Sequence, residues 1–226
     1  MALQDRLDAF KADFTTGKLP FKPSQERLQT MQRATDALIA SGQAQRAKKA
    51  GDTAPEFTLL DPDGQPVSSR ELLARGGPLV ISFYRGVWCP YCNLELQALQ
   101  EALADITARG ASLVAISPQT APNSRKSQRD NKLGFPILSD VKSQVAHAFG
   151  IRFALPSDLI EVYAGFGNDL PKINDDPAWV LPMPARYVVG ADGIIAYAEV
   201  NPDYTHRPDP SELLPVLDRL KASKAA

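Results

Sequence analysis

The sequence predicts an α/β fold, a central mixed β-sheet flanked by helices, preceded by an N-terminal helical extension. Three observations carry this. Over residues 1–47 apolar side chains recur at helical spacing, with Leu3, Leu7, Phe10 and Phe14 on one face. From Gly51 onward short apolar runs alternate with amphipathic segments, the mark of strands alternating with helices. The run Leu79-Val80-Ile81-Ser82-Phe83-Tyr84 is almost unbroken in apolar character, as expected of a central strand covered on both faces. A chain of 226 residues suits one domain with an appendage, and the change of pattern divides it into an extension, 1–47, and a main domain, 48–226.

Each element follows from local signals. Residues 18–23 bring Pro20 and Pro23, which break the first helix. Ser24 can cap a second, with Leu28, Met31 and Leu38 on one stripe and Gly42 near its end. These helices cannot bury their apolar faces alone, so they are expected to pack on the main domain or in a homodimer. A strand over 57–60 leads into the turn Asp61-Pro62-Asp63-Gly64. After the central strand, 79–84, one long helix is expected over 90–109, with Leu96, Leu99, Leu103 and Ile106 on one face and Gly110 ending it. A buried strand over 113–116, a polar helix over 124–132, an edge-like strand over 136–138 and a short helix over 141–149 follow. Strands over 187–189 and 194–199 are joined by the hairpin signal Gly190-Ala191-Asp192-Gly193. A closing helix over 211–221 carries Leu213, Leu214, Leu217 and Leu220. Residues 155–184, rich in Pro and Asp, read as an insertion with one short helix over 157–164.

Composition excludes several functions. The 25 Lys+Arg nearly balance 26 Asp+Glu, and the one basic cluster, Arg46, Lys48 and Lys49, is too short for a nucleic-acid arm. No apolar run approaches the ~20 residues that span a bilayer. The first residues, with Asp5 and Asp8 and no apolar stretch, do not read as a secretory signal, so a cytoplasmic location is expected.

The 2 cysteines, Cys89 and Cys92, form a lone Cys-x-x-Cys pair. They cannot staple a secreted scaffold, and in a reducing compartment such a pair is redox-active or metal-binding. Zinc takes four ligands and only His147 and His206 offer imidazoles, so redox chemistry without a metal or organic cofactor is the expectation. Pro90 suits the first helical position, which makes Cys89 the N-cap and places Cys92 in the first turn. Unpaired backbone N–H groups and the helix dipole there favour a thiolate, and Arg85 adds a cation. Thiols in such settings have pKa values of roughly 3.5–7.5 rather than ~8.5. Residues this close on a helix can form a disulfide without unfolding. Trp88 is read either as covering the core or as shaping the site mouth, and the loop Tyr204-Thr205-His206-Arg207-Pro208, though unusual in composition, as a loop without chemistry.

The order β-α-β-α-β, then a β-hairpin and a helix, is the thioredoxin arrangement. The segment FYRGVWCPYCNLE resembles the active-site segment of that superfamily, and most of all the peroxiredoxins of the alkyl hydroperoxide reductase/thiol-specific antioxidant (AhpC/TSA) family. The similarity runs from Gly51 to Glu199 and includes Gly51-Asp52-Thr53-Ala54-Pro55-Glu56-Phe57, Ala115-Ile116-Ser117 and Leu138-Ser139-Asp140. It implies a thioredoxin-like fold and a thiol-dependent peroxide reductase that cycles a dithiol and a disulfide. Thioredoxin, glutaredoxin or glutathione would supply the electrons. Laid on the family pattern Pro-x-x-x-Thr-x-x-Cys, Cys92 takes the peroxidatic position and Glu95 the acid beyond it. Arg85 stands in place of the proline and Cys89 in place of the threonine. The family's distant arginine falls on Pro184, with Arg186 two residues on and on the same face of a strand. In thioredoxins the equivalent of Pro184 is a cis-proline facing the cysteines, so a cis Met183–Pro184 bond and a substrate-facing Pro184 are expected. The Cys-Pro-Tyr-Cys spelling is also glutaredoxin-like, and in that reading Cys89 attacks and Cys92 resolves. Helix periodicity favours it, because Cys92 shares a stripe with Leu96, Leu99 and Leu103. A thiol–disulfide reductase without peroxidase activity and a noncatalytic binding module are the alternative functions.

Overall fold

The structure, a computed structural model, describes residues 1–19 and 22–225. Of the two prolines expected to break the first helix, Pro20 lies outside the described residues. Helix α1, Leu3–Thr16, ends at Gly17, whose left-handed φ of 74° closes the last turn. Helix α2, Gln25–Ala40, begins at Ser24, whose hydroxyl accepts from the Arg27 N–H at 3.2 Å. A short α3, Gln43–Arg46, leads into the hairpin of β1, Thr58–Leu60, and β2, Pro66–Ser68. Then come α4, Ser69–Ala74, the central β3, Leu79–Phe83, and β4, Ser112–Ser117, which runs parallel to it. All five residues of β3 are buried, because helices cover both faces of the sheet.

Between β3 and β4 the expected long helix is two: α5, Pro90–Glu101, and α6, Leu103–Ala108. The break falls at Ala102, at φ −87° and ψ −4°, and Ile106 beyond it is buried. Helix α7, Ala121–Asp130, precedes β5, Ile137–Ser139. The expected edge-like strand is therefore internal: β5 lies between β4 and β1, with Ile137 and Leu138 fully buried. After a 3₁₀ turn and α8, Gln144–Ala148, the expected one-helix insertion contains more structure. Strand β6, Arg152–Ala154, lies just before it, and within it are α9, Ser157–Gly165, α10, Leu170–Asn174, and β7, Val180–Pro182, with β6 and β7 paired as a separate ribbon. Strands β8, Ala185–Val189, and β9, Ile195–Val200, complete a sheet of order β2-β1-β5-β4-β3-β8-β9. Helix α11, Leu213–Ala225, closes the chain.

The extension packs within the protomer. Leu3 and Leu7 of α1 are buried in the same cluster as Cys92, Leu96 and Leu99. Burying each contributes about 1.5–3 kcal/mol, enough to dock α1 without a second copy. The apolar face that made a homodimer one expectation is thus covered by the protein's own α5. Helix α2 lies along α9. Of the expected stripe, Met31 and Leu38 pack against core clusters while half-buried, and Thr35 between them on the same face is buried, as is Thr30. Among the described residues no helix is long and apolar enough to cross a membrane.

Candidate active site

The site forms where β3 runs into α5. The turn between them needs glycine: Gly86 has φ 145°, and a Cβ there would lie 2.6 Å from Trp88 Nε1. Val87 is pinned on both sides. Its N–H donates to Gln119 Oε1 at 2.7 Å, and its carbonyl accepts from Asn93 Nδ2 at 2.9 Å. Buried Gln119 in turn donates to Tyr84 Oη at 2.7 Å. Gly86→Ala is expected to cost about 1–3 kcal/mol and to slow alkylation of the pair. Thermal melts and iodoacetamide kinetics read both, and an unchanged variant would contradict this reading of the turn.

The sequence places Pro90 at the helix start and Cys89 at the N-cap, and the structure has both there. Cys92 donates its S–H to Cys89 Sγ across 2.9 Å, and both thiols are free and buried. Cys89 lines an apolar cavity of about 340 Å³; Cys92 does not line it and lies behind.

Three guanidinium groups are buried around the sulfurs, against one carboxylate. Arg85 is enclosed by aromatic rings, its Cζ 4.7 Å from the Trp88 centroid, 5.3 Å from Tyr163 and 4.2 Å from Tyr204, and it donates to Tyr163 Oη. Arg207 reaches Cys92 Sγ at 3.7 Å and donates through Nε to Glu95 Oε2 at 2.5 Å. Glu95 Oε1 accepts from Arg186 at 2.9 Å, and Arg186 donates also to the Pro208 carbonyl at 3.0 Å. With two arginines on one carboxylate and Arg85 held only by a phenol and rings, positive charge is in excess, and a thiolate neutralises part of it.

The two sulfurs divide this field unequally. Burial alone would push the Cys89 thiol up. The hydrogen bond from Cys92, then the charges of Arg85 and Arg207, overcome it and hold Cys89 at about 6. For Cys92, burial, its bond to Cys89 and repulsion from that sulfur outweigh Arg207 and Arg85, and its pKa lies well above the ordinary thiol range. At neutral pH the pair holds one proton, on Cys92, and one negative charge, on Cys89.

Of the expected site residues, Arg85, Trp88, Cys89 and Cys92 are brought together at the cavity floor and just behind it. Glu95 is buried between two arginines rather than solvated. Arg186 acts at one remove, through Glu95. The Met183–Pro184 bond is trans, which corrects the cis expectation. Pro184 lines a small cavity shared with Arg85, Tyr163 and Tyr204, and not the one that Cys89 opens onto. Arg207 and Tyr204 correct the reading of their loop as one without chemistry. The signal was there in the unusual composition, but nothing local ties that loop to cysteines 115 positions away. Among the described residues no group of three His, Cys, Asp or Glu side chains could hold a metal ion.

A mixed sheet whose central strand feeds a helix headed by a Cys-x-x-Cys pair defines a thiol protein of the thioredoxin superfamily. The model of the AhpC/TSA family matches residues 50–198, and the chain belongs to that family. It is 29% identical over 147 residues to peroxiredoxin Q, chloroplastic, of Oryza sativa subsp. japonica, covering 65% of this chain and 57% of that protein. It is 32% identical over 115 residues to peroxiredoxin Q, chloroplastic, of Sedum lineare, covering 51% of this chain and 59% of that protein. The match thus spans less than two thirds of the length of these relatives. Its fold is that of peroxidoxin BcpB from Mycobacterium tuberculosis, with a TM-score of 0.59 and 23% identity over 77% of this chain and 97% of that one. Helices α1 to α3 lie outside the family-matched segment.

Proposed function

We propose that the protein is a thiol-dependent peroxide reductase in which Cys89 attacks and Cys92 resolves. One observation carries the reading: the sulfur with the lowered pKa is the one that lines the cavity, and its neighbour's S–H already points at it. The Cys89 thiolate would attack the near oxygen of a hydroperoxide and form an S–O bond to it. The O–O bond breaks, Cys89 becomes a sulfenic acid, and the alkoxide or hydroxide leaves with a proton from solvent. Leaving-group charge needs donors. Arg85 Nε and Trp88 Nε1, on side chains lining the cavity, are buried without hydrogen-bond partners and suit that role. Cys92 sulfur then attacks Cys89 sulfur, its proton joins the departing hydroxyl as water, and a disulfide closes. Two electrons and two protons from a thiol reductant such as thioredoxin, glutaredoxin or glutathione restore the dithiol. The cycle requires a reducing compartment, and we place it in the cytoplasm.

The assignment is tested by trapping sulfenic acid with dimedone in single variants treated with peroxide. Cys92→Ser is expected to accumulate the adduct on Cys89, and Cys89→Ser to give none. The reverse pattern would make Cys92 the attacking residue. Oxidation no faster than that of free cysteine, with turnover of a mixed glutathione disulfide, would replace the peroxidase with a disulfide reductase. The rate of wild-type oxidation is expected to rise with pH through about 6 and level off above it, as the Cys89 thiolate forms. A rise centred near 9 would contradict the assignment.

A further inference from the structure

The cavity above Cys89 is more than a path to the sulfur. Arg85 and Trp88 line its floor beside Cys89, and apart from Asn168 the remaining lining is aromatic or apolar. Phe10 and Phe14 come from α1, Met31 from α2, and Phe166 from just beyond α9. The Phe14 and Phe166 rings meet edge to face at 6.2 Å, and Phe10 meets Tyr91 edge to face at 5.1 Å, so the extension is joined to the core through the walls of this cavity. The volume of about 340 Å³ is well above the roughly 150 Å³ of an apolar cavity that takes benzene. Hydrogen peroxide has no group to fill such walls. A hydroperoxide with a compact aromatic substituent has both parts: an O–O group for the floor and a ring for the walls.

We propose that the N-terminal helices supply a specificity subsite for the organic group of an aromatic hydroperoxide, with Phe10, Phe14 and Met31 as its determinants. This rests on the peroxidase reading. The three residues precede the family-matched segment, 50–198, so the subsite is an addition of this chain to the shared fold.

The test uses the full-length reduced protein and follows thiol loss by stopped flow with cumene hydroperoxide and with hydrogen peroxide. Cumene hydroperoxide is expected to be preferred at least ten-fold in kcat/KM, and Phe14→Ala to reduce that preference by about ten-fold, the scale of one lost apolar contact. Because Phe14→Ala also loosens the contact with Phe166, a second measurement uses wild type alone. 2-Phenylpropan-2-ol, the alcohol left after reduction of cumene hydroperoxide, is expected to slow alkylation of Cys89 by iodoacetamide in a saturable way. Equal rates for both peroxides with no protection by the alcohol would overturn the subsite and leave the peroxidase intact. Saturable protection without peroxide consumption would support the subsite and overturn the peroxidase.

Discussion

Glu95→Ala is expected to lower the stability of the reduced protein by about 3–5 kcal/mol, the cost of breaking a buried ion pair from one side. Glu95 is the single carboxylate between Arg186 and Arg207, and all three side chains are almost completely removed from solvent. Without it, two guanidinium groups stay buried having lost the one carboxylate that bonds both. Urea unfolding reads the loss as a lower midpoint at unchanged slope. Glu95→Gln keeps the shape but turns an amide N–H toward one of the two arginines, so it should recover only part of the loss. A change below about 1 kcal/mol for Glu95→Ala, the range of an exposed pair, would show that the cluster does not hold the site together.

The second large effect is a dependence of stability on pH that belongs to the cysteine pair. Both thiols start from 9.0; folding lowers Cys89 to about 6 and raises Cys92. Between about pH 6 and 9 the unfolded chain therefore binds two thiol protons and the folded chain one, so stability rises with pH. The slope is about 1.4 kcal/mol per unit, or about 4 kcal/mol across the window. This contribution is fully present near pH 9 and is lost as pH falls through about 6. Above about 9 the sign reverses, because unfolded Cys92 releases a proton that folded Cys92 keeps. Subtracting the unfolding free energy of the double variant Cys89→Ser, Cys92→Ser isolates the term. The difference should peak near pH 9, and a flat difference would mean that the thiolate is not stabilised by the fold.

Much of this architecture is legible in the sequence because it rests on local chemistry. A short, nearly unbroken apolar run rich in β-branched and aromatic residues is the mark of a covered strand, and β3 is one. Proline after Cys89 fixes the helix start, and the helical stripe through Cys92, Leu96 and Leu99 makes Cys92 the inner sulfur. What stayed hidden depends on tertiary neighbours. The sequence around Ala102 has neither Gly nor Pro, so nothing in it marks the break between α5 and α6. Strands β6 and β7 have three residues each, too short for an alternation to register, and they exist because they pair with one another. Glu95 looks like any helix-surface acid until β8 and the loop after β9 bring arginines to both its oxygens. Arg207 belongs to that loop, and its meaning comes only from where the last helix folds back.

The surplus of guanidinium over carboxylate bears also on the other half of the cycle. When the sulfurs join, the negative charge disappears and Arg85 and Arg207 lose an anion they had partly neutralised. The oxidised form of the proposed cycle is electrostatically the poorer of the two, so its disulfide is expected to be easily reduced. On the proposed cycle, the same imbalance that lowers the Cys89 pKa is expected to tilt the protein toward its dithiol.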